Sequence, residues 1–190
     1  MPRWPIPLAG LALSWPLFLA AGCGGGTSGG IVVPQTDATP PTLTLQVGVA
    51  NGPSGSVAPG GTGSALTLTA KTGTLNISAS ARDPESGVRT VRVLVDKTIT
   101  ECTPPDACTM QNPGLTSAPS LLSDSPARSP GETVSESSVL LDSIDLATEI
   151  RQTPPAAGTT LTATLRLTAR ATNYLGGSSV TPALTVTWKE

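Results

Sequence analysis

From residue 161 to 171 the chain alternates without a break. Leu161, Ala163, Leu165, Leu167, Ala169 and Ala171 take the odd positions, and Thr162, Thr164, Arg166, Thr168 and Arg170 the even ones. A period of two sustained this long sets one face of an extended strand in a core and the other in water; on a helix the same residues would be smeared round the whole circumference. Leu75, Ile77, Ala79 and Ala81 alternate with Asn76, Ser78, Ser80 and Arg82 in the same way. Val91, Val93 and Val95 do so with Arg92 and Asp96, Leu94 interrupting the polar side. Further strands are predicted over 42–49, 65–70, 138–146 and 181–188, each bounded by Gly, Pro or Ser. In 138–150, Leu140, Ile144 and Ala147 also fit a helix, which competes there with the strand. Some seven strands with polar outer faces predict an all-β protein, a single antiparallel sandwich.

The first 22 residues are of another kind. Arg3 is their only charge, Ile6, Leu8, Leu11, Leu13, Leu17, Phe18 and Leu19 form an apolar run, and small residues close it. This is the build of a secretory signal. Pro5, Pro7 and Pro16 break a stretch already short for a membrane-spanning helix, which needs about 20 apolar residues. Leu19-Ala20-Ala21-Gly22-Cys23 resembles a bacterial lipobox, with Ala20 and Leu19 departing from the commonest pattern. The resemblance implies cleavage before Cys23 and lipidation of its thiol, each acyl chain contributing about 0.8 kcal/mol per buried methylene. Gly24 stands where an aspartate usually signals inner-membrane retention, so the resemblance implies the outer membrane of a bacterial envelope. The alternative is an ordinary signal cut near Ala21, leaving Cys23 a free thiol. Residues 23–36 begin with a Gly-rich run that has no side chains to pack, and are expected to form a flexible tether. A phosphate loop is the other reading of that run, but neither a following lysine nor a preceding strand accompanies it.

With Cys23 assigned to the anchor, Cys102 and Cys108 remain, an even number in an exported chain, and a disulfide is expected between them. Their spacing fits neither a zinc knuckle nor a Cys-x-x-Cys redox pair.

Three stretches are similar to bacterial immunoglobulin-like domains. Asp37-Ala38-Thr39-Pro40-Pro41-Thr42 resembles the Pro-Pro turn that leads into their first strand. Arg82-Asp83-Pro84-Glu85-Ser86-Gly87-Val88 resembles the turn before their third strand. Ala169-Arg170-Ala171-Thr172-Asn173-Tyr174-Leu175-Gly176-Gly177, followed by Leu184-Thr185-Val186-Thr187-Trp188, resembles their closing hairpin, with Asn173 where Asp is frequent and Gly177 where Asn is frequent. The resemblance implies an immunoglobulin-like sandwich over residues 37–190. Residues 98–135, without periodicity and rich in proline, are expected to form a long irregular insertion, either unstructured or a partner-binding loop.

Composition narrows the chemistry. There is no histidine, so the commonest general base is missing. A serine hydrolase would have to recruit Lys71, Lys97 or Lys189, and no Gly-x-Ser-x-Gly elbow is present. After residue 22 only Tyr174 and Trp188 are aromatic, too few for a stacking platform for sugars or single-stranded nucleic acid. The eleven Lys and Arg are scattered, with no nucleic-acid footprint, and Asn76-Ile77-Ser78, a glycosylation sequon, falls within a predicted strand. Arg82, Arg89, Arg92, Arg166 and Arg170 lie on outward positions, either pairing with acidic neighbours or forming a basic stripe for anionic envelope polymers. Asp83 and Glu85 are weak calcium candidates that Asp37, Asp142 or Asp145 would have to complete; the ordinary reading is a turn in which Asp83 caps. The expected function is that of a non-catalytic binding or structural module, held to the membrane by its lipid and meeting a protein or envelope polymer. Neither a cofactor, nucleic acid nor a small-molecule substrate is expected. The alternative is an accessory subunit of a larger envelope enzyme or transport complex.

Overall fold

The structure is a computed structural model that describes residues 30–68, 73–103, 107–115, 121–150 and 157–189. Cys23, the signal segment and Lys71 lie outside them. The described chain is almost wholly β. Its strands are β1 (Gly30–Val32), β2 (Thr42–Val49), β3 (Ser54–Val57), β4 (Ser64–Leu68), β5 (Thr74–Arg82), β6 (Val88–Thr103), β7 (Ala107–Gln111), β8 (Leu122–Asp124), β9 (Thr133–Ser135), β10 (Ser137–Asp145), β11 (Thr160–Asn173), β12 (Ser178–Val180) and β13 (Leu184–Lys189), with one short helix, α1 (Leu146–Ile150).

Two sheets carry the fold. One has the order β10-β5-β2-β3, the other β4-β13-β11-β6-β7 with β12 and β8 added to β11 and β6. Their apolar faces meet in one core: Leu43, Leu45, Ile77, Ala79 and Ile144 from the first, and Val91, Val93, Leu165, Leu167, Val186 and Trp188 from the second. The alternation of residues 161–171 is read out directly, every odd position being buried. Ala163 lies in register with Trp188, a small residue opposite the largest one.

Three expectations are corrected and one ambiguity is resolved. The sandwich is not purely antiparallel: after β3 the chain turns through residues 58–63 and changes sheets, and β4 runs parallel to β13. Residues 98–135 are not an irregular insertion. β6 continues to Thr103, β7 folds back on it, and β8 and β9 follow; Thr98-Ile99-Thr100 supplies β propensity to the extension of β6, and Pro113, Pro126 and Pro130 fall outside the strands. The tether ends earlier than residue 36, because β1 pairs with β9 and Val33 is buried behind it. Residues 138–150 satisfy both competing readings: the strand runs to Asp145, whose carboxylate accepts the Ala147 N–H (3.0 Å) and the Thr148 hydroxyl (2.9 Å) and so opens α1.

The Cys102–Cys108 disulfide forms, joining directly opposed residues of the β6–β7 hairpin. Nearer the sandwich, the Lys97 ammonium lies 2.6 Å from a Glu149 carboxylate oxygen, their side chains 2% and 0% exposed, so that α1 is tied to β6 by a buried ion pair. Among the described residues no helix is long and apolar enough to cross a membrane.

Candidate functional site

At one end of the sandwich three loops meet: residues 37–41, which lead into β2, the turn 83–87 between β5 and β6, and the turn 173–177 after β11. Each is shaped locally before it meets the others. Asp37 accepts the Thr39 N–H (2.7 Å). Asp83 accepts the N–H groups of Glu85 (3.0 Å) and Ser86 (2.9 Å) with one oxygen, the capping role expected of it. Asn173 accepts the N–H groups of Leu175 (3.1 Å) and Gly177 (2.7 Å) through Oδ1. These two bonds fix the amide orientation, since a flipped Asn173 would set its NH2 against two N–H donors.

Asn173 Nδ2 is therefore directed at the other two loops. It lies 3.1 Å from Asp37 Oδ2, 3.1 Å from Asp83 Oδ2 and 3.2 Å from the Thr39 carbonyl oxygen. The Ser86 hydroxyl donates to Asp37 Oδ2 at 2.5 Å. Asp83, Ser86 and Asn173 are all buried. Burial pulls the Asp37 carboxyl upward, but hydrogen bonding with Ser86, the Thr39 N–H, Glu85 and Asn173 outweighs it and holds the pKa below the ordinary 3.8. The Ser179 hydroxyl also donates to the Pro41 carbonyl (2.5 Å), fastening β12 to the same loop.

Of the weak calcium candidates, the structure brings Asp37 to Asp83. Glu85, also beside Asp37, accepts the Thr39 hydroxyl (3.2 Å). Asp142 and Asp145 lie elsewhere, on β10. Between the Asp37 and Asp83 carboxylates stands the Asn173 amide nitrogen, and among the described residues no group of three or more His, Cys, Asp or Glu is arranged for a metal. The arrangement crosslinks: one neutral amide joins two carboxylates and three segments far apart in sequence. Its hub was missed by sequence reasoning, although the pattern Asn173-x-x-x-Gly177 in a strand-ending turn is the signal that could have found it.

A second feature was also missed. The outer face of the four-stranded sheet holds an open groove of 720 Å³, floored by Gly48, Gly55, Asn76 and Ser78 and walled by Leu141 and Asp142. Gly48 lies in register with Ser54 of β3 and Asn76 of β5.

Compared with protein-family models, curated proteins and solved structures, the chain matches none.

Proposed function

We propose that this chain is a lipoprotein of the bacterial cell envelope, anchored through Cys23, whose immunoglobulin-like sandwich is a binding or structural module without catalysis of its own. The observation that carries the reading is the clasp: the three stretches whose residues resemble immunoglobulin-like domains converge on Asn173. The strand order supports it further. β5 pairs with β10 in one sheet and β6 with β11 in the other, and β4 lies parallel to the last strand, a pairing that suits a Greek-key sandwich. Such a scaffold presents edges, loops and sheet faces rather than a reaction centre. The lipobox-like Gly22-Cys23 supports the anchor, and Gly24 the outer membrane.

The alternative, an accessory subunit of a larger envelope enzyme or transport complex, draws on the β6–β7 hairpin. All of β7 is exposed, Met110 is 68% exposed, and the disulfide holds the hairpin in shape. Affinity capture after detergent extraction separates the two: a stoichiometric partner lost with Met110→Lys supports the accessory role.

Intact mass of the membrane-extracted protein beside a Cys23→Ala variant tests the leading reading. The expected wild type begins at an acylated Cys23, and the variant carries no lipid. A wild type without lipid would remove the anchor and the proposed function with it.

A further inference from the structure

On the outer face of the seven-stranded sheet, one row of residues crosses four strands in register: Leu122 of β8, Arg92 of β6, Arg170 of β11 and Val180 of β12. Leu94, two residues beyond Arg92, faces Thr168. Leu94, Leu122 and Val180 are 47%, 49% and 50% exposed, three of the large apolar side chains the domain leaves in water. The two arginines are directly opposed like charges, an arrangement that destabilises a sheet. Among the described residues neither belongs to an ion pair. The carboxylates on this face lie outside the row, Asp124 one step away opposite Thr90 and Asp96 two steps away opposite Arg166.

We infer that this face docks the domain onto an anionic lipid surface, Arg92 and Arg170 meeting headgroup phosphates while Leu94, Leu122 and Val180 enter the boundary beneath them. Guanidinium groups suit phosphate oxygens through paired N–H donors, and a phosphate between the two arginines relieves their repulsion. The apolar side chains select the lipid: a soluble anionic polymer would use the arginines but leave Leu94, Leu122 and Val180 in water, whereas an interface takes both. The inference rests on the lipid-anchor reading for its strength. Gly30 opens β1, and the seven residues 23–29 span at most about 25 Å when extended, so an anchored domain stays close to the bilayer and a weak face suffices.

The test uses the full chain with Thr168→Cys carrying a nitroxide, in vesicles of phosphatidylcholine alone and with about a third phosphatidylglycerol. Depth is read by power saturation and attachment by flotation. The label is expected to be aqueous on the neutral vesicles and interfacial on the anionic ones, returning to water in about 0.5 M salt. Arg92→Ala with Arg170→Ala is expected to weaken docking about 30-fold, roughly fivefold per arginine, without lowering the urea midpoint, because a repulsion has been removed. Leu94→Ser with Val180→Ser is expected to leave the label shallow. A label that stays aqueous on anionic vesicles, equal depth in the arginine variant, or soluble polyphosphate bound while the label stays aqueous on vesicles overturns the inference. Failure of the anchor is read separately: the chain then does not float with neutral vesicles, while salt-sensitive flotation with anionic ones still supports docking.

Discussion

Breaking the buried Lys97–Glu149 pair from one side should come close to unfolding the domain, whereas replacing both partners should not. The pair is 2.6 Å long with both side chains essentially out of water, so a single substitution leaves a charge in the interior without the oppositely charged group it meets there. That situation costs about 3–5 kcal/mol, while a well-packed apolar pair of similar volume is neutral or stabilising, because neither charge then has to be desolvated. Lys97→Met and Glu149→Leu should therefore each lower stability by about 4 kcal/mol, against a total on the order of 5–15 kcal/mol, and the double variant should return to within about 1 kcal/mol of wild type. Urea denaturation followed by far-UV circular dichroism reads this directly. With a slope of about 2 kcal/mol/M, each single loss moves the midpoint by about 2 M. The double variant also decides the matter if a single one fails to fold. Singles losing under about 1 kcal/mol, or a double losing the sum of the two, would refute the reasoning, the first by showing a solvated pair and the second by showing independent packing roles.

Four further outcomes are expected. Asn173→Asp puts a third carboxylate against Asp37 and Asp83 and removes the amide donors, so it should destabilise by about 3–5 kcal/mol at neutral pH, a loss that shrinks on acidification in urea titrations. Gly87→Ala should cost about 1–3 kcal/mol from its φ of +74° alone, and more because the added Cβ would stand 2.7 Å from the Ser135 carbonyl oxygen; loss of amide protection in β9 would report it. Asp37 has a folded pKa below 3.8, so its stabilisation is complete above the unfolded value and lost as pH falls through the folded one. A urea midpoint that drops below about pH 4 in wild type but less steeply in Asp37→Asn is the expected result. Removing both cysteines with Cys102→Ser and Cys108→Ser should lower stability by about 2 kcal/mol, the chain-entropy value for so short a loop, seen as a shifted thermal midpoint.

What the sequence makes legible follows from which interactions are local. Alternation at residues 75–82 and 161–171 reports burial on one face, and both strands lie where that pattern places them. The disulfide was legible from cysteine arithmetic alone. Short strands without alternation were not: β1 and β9 are three residues each and exist through mutual pairing and the burial of Val33 and Val134, which no local window contains. The parallel placement of β4 is likewise decided by where β13 lies, not by Ser64–Leu68 itself. At the site, Asp83 announced its turn through Asp83-Pro84-Glu85-Ser86-Gly87, but its partnership with Asp37 and Asn173 spans sequence separations of 46 and 90 and had no local signature.

The clasp and the arginine row belong to the same pair of strands, and this explains how the repulsion between Arg92 and Arg170 is tolerated. A slip of two residues between β6 and β11 would set Arg170 opposite Thr90 or Leu94 and remove it, while keeping every apolar side chain on the core face. Several features oppose the slip. At one end, Asn173 faces Val88 across a register irregularity and is bonded to loops on both sides, so β11 cannot slide without breaking the clasp. Further along β6, Lys97 is held to Glu149 of α1. The like-charged pair is thus fixed by contacts elsewhere on the same strands. Weakening the clasp should therefore loosen the arginine row in a way that substituting the arginines does not loosen the clasp.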